Sequence, residues 1–127
     1  MVRGQKDTYR ILREKRDPNE QYIWFHCASL GEFEQARPMI ETMKKKYPAY
    51  RILLTFFSPS GYEVRKDYSF ADIVCYLPFD TPNRVNAFLD IAKPTLAVFV
   101  KYEFWYNYIH EAYLRGIPVY LISAIFR

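Results

Sequence analysis

Cysteine is scarce in this sequence. Cys27 and Cys75 are the only two, each inside an apolar run, which excludes a disulfide-built scaffold and leaves no C-x-x-C pair for a metal or a redox couple. They read as small core residues of a reducing compartment. Glycine is scarce too, with four in 127 residues, and no G-x-G-x-x-G follows the first apolar run, so the dinucleotide fingerprint is missing. Long hydrophobic runs are also lacking. The longest, Val119 to Phe126, is broken by Ser123 and falls far short of the roughly 20 residues of a bilayer span. Beyond residue 16 the chain has no charge excess: 12 basic and 12 acidic groups balance. The formal +4 therefore lies in residues 1–16, where Arg3, Lys6, Arg10, Arg13, Lys15 and Arg16 face only Asp7 and Glu14. A basic arm on a neutral body does not make a nucleic-acid-binding surface.

Apolar and aromatic side chains are plentiful. Hydrophobic residues make up 50% and aromatics 19%, which excludes disorder and supplies a packed core for one domain. Residues 1–20 end at the turn signal Asp17-Pro18-Asn19 and read as an arm or linker; the fold occupies 21–127. There, strand-length apolar runs (22–28, 51–57, 72–77, 95–100 and 119–123) alternate with helical patterns (33–46, 61–68, 83–92 and 105–115). Near-continuously apolar strands separated by helices predict a parallel sheet covered on both faces, a doubly wound, Rossmann-like α/β sandwich. Gly116 and Pro118 punctuate the last crossover. Pro38 conflicts with its helix, which should be kinked there or start after Glu32.

Ligands of such sheets bind beyond the carboxyl ends of the strands. The segments there are 28–32, 58–61, 78–82 and 101–105. With strand order 3-2-1-4-5, Glu32 and Glu103 face the crevice from opposite sides, a plausible acid/base or charge-stabilising pair. Glu34, two residues on, points away from Glu32. His26 shares a strand face with Trp24 and reads as a satisfied core histidine. Lys44 to Lys46 read as a solvated helix end, and most of the aromatic stretch around Trp105 as helix packing.

Several of these segments resemble one family. Trp24-Phe25-His26-Cys27-Ala28-Ser29-Leu30-Gly31-Glu32 resembles the W-x-H-A-A-S-x-G-E segment of 3-deoxy-D-manno-octulosonic acid (Kdo) transferases. Thr55 to Gly61 is similar to their T-x-T-S/P-T-G loop, and Leu77 to Pro82 to L-P-x-D-x-P. Lys93-Pro94, Glu103-Phe104-Trp105-Tyr106-Asn107 and Arg115-Gly116-Ile117-Pro118 resemble R-P, E-L-W-P-N and R-G-I-P, in the same order. Lys101-Tyr102-Glu103 stands where the family has E-T-E, and Tyr106 where it has proline.

The resemblance implies the acceptor-side N-terminal half of a two-domain, GT-B glycosyltransferase that moves Kdo from CMP-Kdo to a lipid A precursor, lipid IVA. It implies Glu32 as general base of an inverting transfer and Glu103 as a carboxylate stabilising the cationic sugar. Ser29, Gly31, Ser58, Ser60, Gly61, Lys101 and Trp105 would serve the acceptor: Gly31 by letting the backbone turn, Ser29 and Lys101 by meeting an anion. No metal or cofactor is implied, and CMP-Kdo would be held mainly by the C-terminal domain, absent from this chain. Family members begin with a membrane anchor, so the resemblance turns residues 1–16 into a contact for anionic lipid at the cytoplasmic face of the inner membrane. Two alternatives stay open. A stand-alone flavodoxin-like binding or signalling module would want acidic residues after the first strand, where Ser29-Leu30-Gly31 stand, and an aspartate at Pro78. An unrelated nucleotide-binding domain would want the missing glycine-rich loop.

Overall fold

A computed structural model describes residues 2–100 and 105–122, the side chains of residues 2–6 excepted. The order is α1 (Val2–Lys15), β1 (Tyr22–Cys27), α2 (Leu30–Lys46), β2 (Arg51–Phe56), α3 (Pro59–Arg65), β3 (Ile73–Tyr76), α4 (Pro82–Ala92), β4 (Leu96–Val100), α5 (Tyr106–Leu114) and β5 (Val119–Ile122). The five strands pair in parallel in the order β3-β2-β1-β4-β5. The predicted doubly wound α/β sheet is therefore present, with its switch point between β1 and β4.

Alternation along each strand divides the core in two. Trp24, Leu53, Cys75, Ala97 and Phe99 pack with Phe88, Leu89 and Tyr108 on one face. Ile23, Phe25, Cys27, Leu54 and Phe56 pack with Phe33, Ala36 and Ile40 of α2 on the other. The cysteines sit on opposite faces as buried free thiols, and burial pushes Cys75 up to about 12 and Cys27 higher. Both stay protonated at neutral pH, as small apolar core groups.

Four expectations are corrected. Residues 2–15 form no detached arm: α1 packs on β3 and α4, with Leu12 fully buried and the Thr8 hydroxyl donating to Tyr76 O at 2.7 Å. Their many cations hid a narrow inward stripe. Of the two outcomes expected at Pro38, the late start is overturned: α2 starts at Leu30 and continues through the proline. The carbonyl left without an N–H partner belongs to Glu34, and both residues are exposed, so water can satisfy it. Lys44 is not merely solvated: its Nζ donates to Tyr50 O at 3.1 Å and to Asp72 Oδ2 at 3.0 Å, and that oxygen also accepts from Ile52 N. Finally, β5, at the edge of the expected order, is not covered as the inner strands are: both of its faces are partly exposed. Tyr120 and Leu121 are exposed beside an apolar groove of about 570 Å³ between α2 and β4–β5.

Candidate functional site

The crevice is built where β1 and β2 hand over to their helices. Ser29 caps α2: its backbone is extended (φ −140°, ψ 170°), and its Oγ accepts from Glu32 N at 3.4 Å. Glu32 answers, Oε1 accepting from Ala28 N at 2.7 Å. This reciprocal pair satisfies amides at the helix entrance and turns the carboxylate back toward the end of β1. Its negative charge adds to burial in raising the Cys27 thiol.

The neighbouring loop is tied to the same point. Phe57 N and Ser58 N both donate to Ala28 O, at 3.3 and 2.9 Å. Ser58 caps α3, accepting from Gly61 N at 3.4 Å, and its Oγ lies 3.1 Å from Ser60 Oγ. The Ser29–Glu32 cap and the Ser58–Ser60 loop are thus both tied to Ala28, at the carboxyl ends of β1 and β2. Glu34 does not join them; it pairs with Arg65 at 2.7 Å on the outer surface.

The two glycines of the site differ. A Cβ on Gly61 would lie 2.4 and 2.8 Å from Phe56 ring carbons and 3.2 Å from Leu30 N, so Gly61 is needed for packing and is itself buried. A Cβ on Gly31 would meet only Ser29 Oγ, at 3.9 Å, and its φ is not positive. The expected backbone role of Gly31 is therefore corrected: the turn would accept a side chain, and what its absence leaves is open surface beside Glu32. Gly61→Ala is expected to cost about 1–3 kcal/mol by overpacking. Gly31→Ala should be neutral or stabilising by up to about 1 kcal/mol, alanine being the better helix former. Urea unfolding of both variants checks the pair; equal losses would contradict it.

Below the loops lies a polar trio that the sequence reading missed. His26 is flanked in register by Thr55 on β2 and Phe99 on β4. The Trp24 indole Nε1 donates to Thr55 Oγ1 at 2.8 Å, and the same oxygen lies 2.8 Å from His26 Nδ1. His26 is thus only half satisfied among the described residues, since Nε2 is buried without a hydrogen-bond partner there. The missed signal was Thr55, the one polar residue between Ile52 and Phe57, whose pairing with His26 follows once the β1–β2 register is known. Burial lowers the His26 pKa from 6.5 to about 3, against a smaller raising effect from the Thr55 backbone. The unfolded chain therefore gains a proton below about pH 6.5 that the folded chain refuses until about pH 3. Stability is lost as pH falls through that window, by about 1.4 kcal/mol per pH unit. The urea midpoint should be lower at pH 5 than at pH 7, a range in which ordinary carboxylates remain ionised. Equal midpoints would show that His26 is free to protonate in the folded chain.

Trp105 closes the floor. It is 8% exposed, lying edge-to-face with His26 (centroids 4.9 Å, 86°) and tilted against Phe57 at 5.2 Å, so most of the ring is packing. Asp80 fixes the helix that follows: Asn107 N donates to its Oδ1 and Asn107 Nδ2 to its carbonyl, both at 3.0 Å. Tyr108 adds a bond from its hydroxyl to Pro78 O at 2.7 Å. The proline-flanked aspartate loop is therefore an anchor for α5. Lys101 and Glu103 lie outside the described residues.

An all-parallel sheet with a capped helix and a glutamate at its switch point defines a Rossmann-like α/β domain of the kind found in the N-terminal half of glycosyltransferases. Across residues 5–127 the chain matches the family described as 3-Deoxy-D-manno-octulosonic-acid transferase (kdotransferase), and it belongs to that family. It is 37% identical over 120 residues to a 3-deoxy-D-manno-octulosonic acid transferase of Haemophilus influenzae, covering 93% of this chain and 28% of that protein. The corresponding Aquifex aeolicus transferase is 37% identical over 103 residues, covering 80% of this chain and 28% of its own length. A bifunctional glycosyltransferase/methyltransferase of Fusobacterium nucleatum is 38% identical over 111 residues, 84% of this chain and 17% of its own. The chain thus spans between a sixth and a third of these relatives.

Proposed function

We propose that this chain is the acceptor-side half of an enzyme that transfers Kdo from CMP-Kdo to a lipid A precursor in lipopolysaccharide biosynthesis. The observation that carries the reading is Glu32, anchored by the Ala28 amide at a capped helix entrance with the open surface of Gly31 beside it. Glu32 takes the proton of the acceptor sugar hydroxyl while that oxygen bonds to the anomeric carbon of Kdo. The bond to the CMP phosphate breaks, CMP leaves with the electron pair, and the anomeric centre inverts. A helix N-terminus and an amide donor both favour the carboxylate, the form in which a base must start. Desolvation by the bound acceptor then strengthens it as a base. Glu103, at the acidic position of the resemblance, stabilises the positive charge that develops on the sugar ring, and Lys101 meets a phosphate or the Kdo carboxylate. Ser29, Ser58, Ser60 and the exposed edge of Trp105 contact the acceptor. CMP-Kdo is held mainly by the second domain, so the 127 residues alone do not turn it over.

The outward face of α1 is the surface toward anionic lipid at the cytoplasmic side of the inner membrane. Among the described residues no helix is long and apolar enough to cross a membrane. Amide chemical-shift titration of this chain tests the reading. A lipid IVA-type phosphorylated disaccharide should shift Ser29, Gly31, Ser58 and Ser60, and CMP should shift none of them. CMP binding in the micromolar range at those loops would reverse the assignment of halves.

A further inference from the structure

His26 holds a proton with nowhere ordinary to go. Trp24 Nε1 can only donate, so it occupies a lone pair of Thr55 Oγ1. The second partner of that oxygen is His26 Nδ1, at 2.8 Å. A threonine hydroxyl has one hydrogen to give, and Thr55 is fully buried. The arrangement that satisfies all three groups has Thr55 donating to Nδ1, which must then be bare, leaving the imidazole hydrogen on Nε2. That atom is buried and has no oxygen or nitrogen acceptor among the described residues. The indole of Trp105 stands perpendicular to the imidazole, with centroids 4.9 Å apart. An aromatic face carries the negative end of its quadrupole and accepts an N–H weakly but with a preferred direction.

We propose that His26 is a positioning residue for the candidate site: oriented by Thr55, its Nε2–H bears on the Trp105 ring and sets the angle at which that ring floors the crevice. Phe57 braces the same indole from another side at 5.2 Å, so the ring is held between β1 and the loop that carries Ser58. The buried trio of Trp24, Thr55 and His26 thereby reaches the ligand surface without touching ligand. The acceptor role rests on the transferase reading; the His26–Trp105 contact does not.

Two measurements separate them. In this chain, the imidazole nitrogen–proton correlations should show His26 as the Nε2–H tautomer, its proton moved upfield by the indole ring current. That displacement should vanish in Trp105→Leu and persist in part in Trp105→Phe. An Nδ1–H tautomer, or a shift indifferent to both substitutions, overturns the proposal. In the full-length enzyme, His26→Gln keeps an amide N–H near the Nε2 position but gives up the Thr55 bond, whereas His26→Asn keeps the Thr55 side and gives up Nε2–H. A purely structural His26 would favour Asn. Positioning predicts the reverse: about a tenfold higher acceptor KM for His26→Asn at similar kcat, and a KM near wild type for His26→Gln. Equal KM values for the two variants overturn the acceptor role. A wild-type enzyme that transfers no Kdo overturns the transferase reading and the acceptor role with it, while the spectrum still decides the contact.

Discussion

Glu32→Gln in the full-length enzyme is expected to lower kcat by about two to four orders of magnitude, the usual worth of a general base, while leaving folding nearly untouched. The separation of the two effects comes from the cap. Glu32 accepts from Ala28 N through one oxygen, and a glutamine offers an amide oxygen of the same reach. Ser29 still accepts from the amide of residue 32, so the entrance of α2 keeps its reciprocal bonds. What is removed is the negative charge and with it the ability to take a proton. Glu32→Ala, by contrast, deletes the cap as well and should cost about 0.5–2 kcal/mol in addition to activity. Steady-state kinetics beside thermal unfolding of both variants distinguishes base from cap. If Glu32→Gln turns over at close to the wild-type rate, the proton goes elsewhere and Glu103 becomes the candidate.

The sheet was legible because its strands are apolar on both sides and punctuated by turn residues, a pattern that few folds share. The loops were legible because position in a doubly wound sheet tells which strand ends face a ligand. What escaped depended on pairing across the sheet. Thr55 matters because the β1–β2 register sets it against His26, and no spacing within one strand reveals that. Asp80 falls in the strand-end segment 78–82, yet what it does is anchor α5 through Asn107, a pairing no spacing reveals. The two site glycines look alike in sequence, yet only Gly61 has a phenyl ring where its Cβ would be. The exposure of β5 was hidden because Val119 to Ile122 is as apolar as the central strands, and composition does not tell how far the helices will cover an edge.

A chain lacking residues 1–16 is expected to lose its cooperative fold, not merely a basic tail. Leu12 is fully buried between α1 and the sheet, and truncating such a side chain to alanine alone costs about 2–5 kcal/mol. Thr8 donates to Tyr76 O at 2.7 Å, closing the end of β3. Arg16 lies over the Tyr22 ring at 4.4 Å and donates to Ala92 O at 2.9 Å, Lys93 O at 3.1 Å, Glu20 O at 3.0 Å and Asp17 O. It joins the end of α4 to the start of β1, and hydrogen bonds from a charged donor contribute about 1.5–3 kcal/mol. Together these losses approach the about 5–15 kcal/mol that a domain has in total. Deletion is therefore the wrong test of lipid contact. Arg16 is committed to carbonyls, and Arg10 has Asp7 at 3.7 Å and Glu14 at 3.6 Å. Arg13 and Lys15 are exposed, and each cation near an anionic surface contributes about 1 kcal/mol, screened beyond a Debye length of about 8 Å. Arg13→Glu with Lys15→Glu should keep the fold and weaken salt-sensitive binding to anionic vesicles at least tenfold, since reversing two charges removes and then opposes about 2 kcal/mol. Unfolding curves for the deletion and Leu12→Ala, beside vesicle co-sedimentation of the charge variant, check both halves. A truncated chain with an unchanged midpoint would restore α1 to a dispensable appendage. Undiminished vesicle binding by the charge variant would move the lipid contact away from this end of α1.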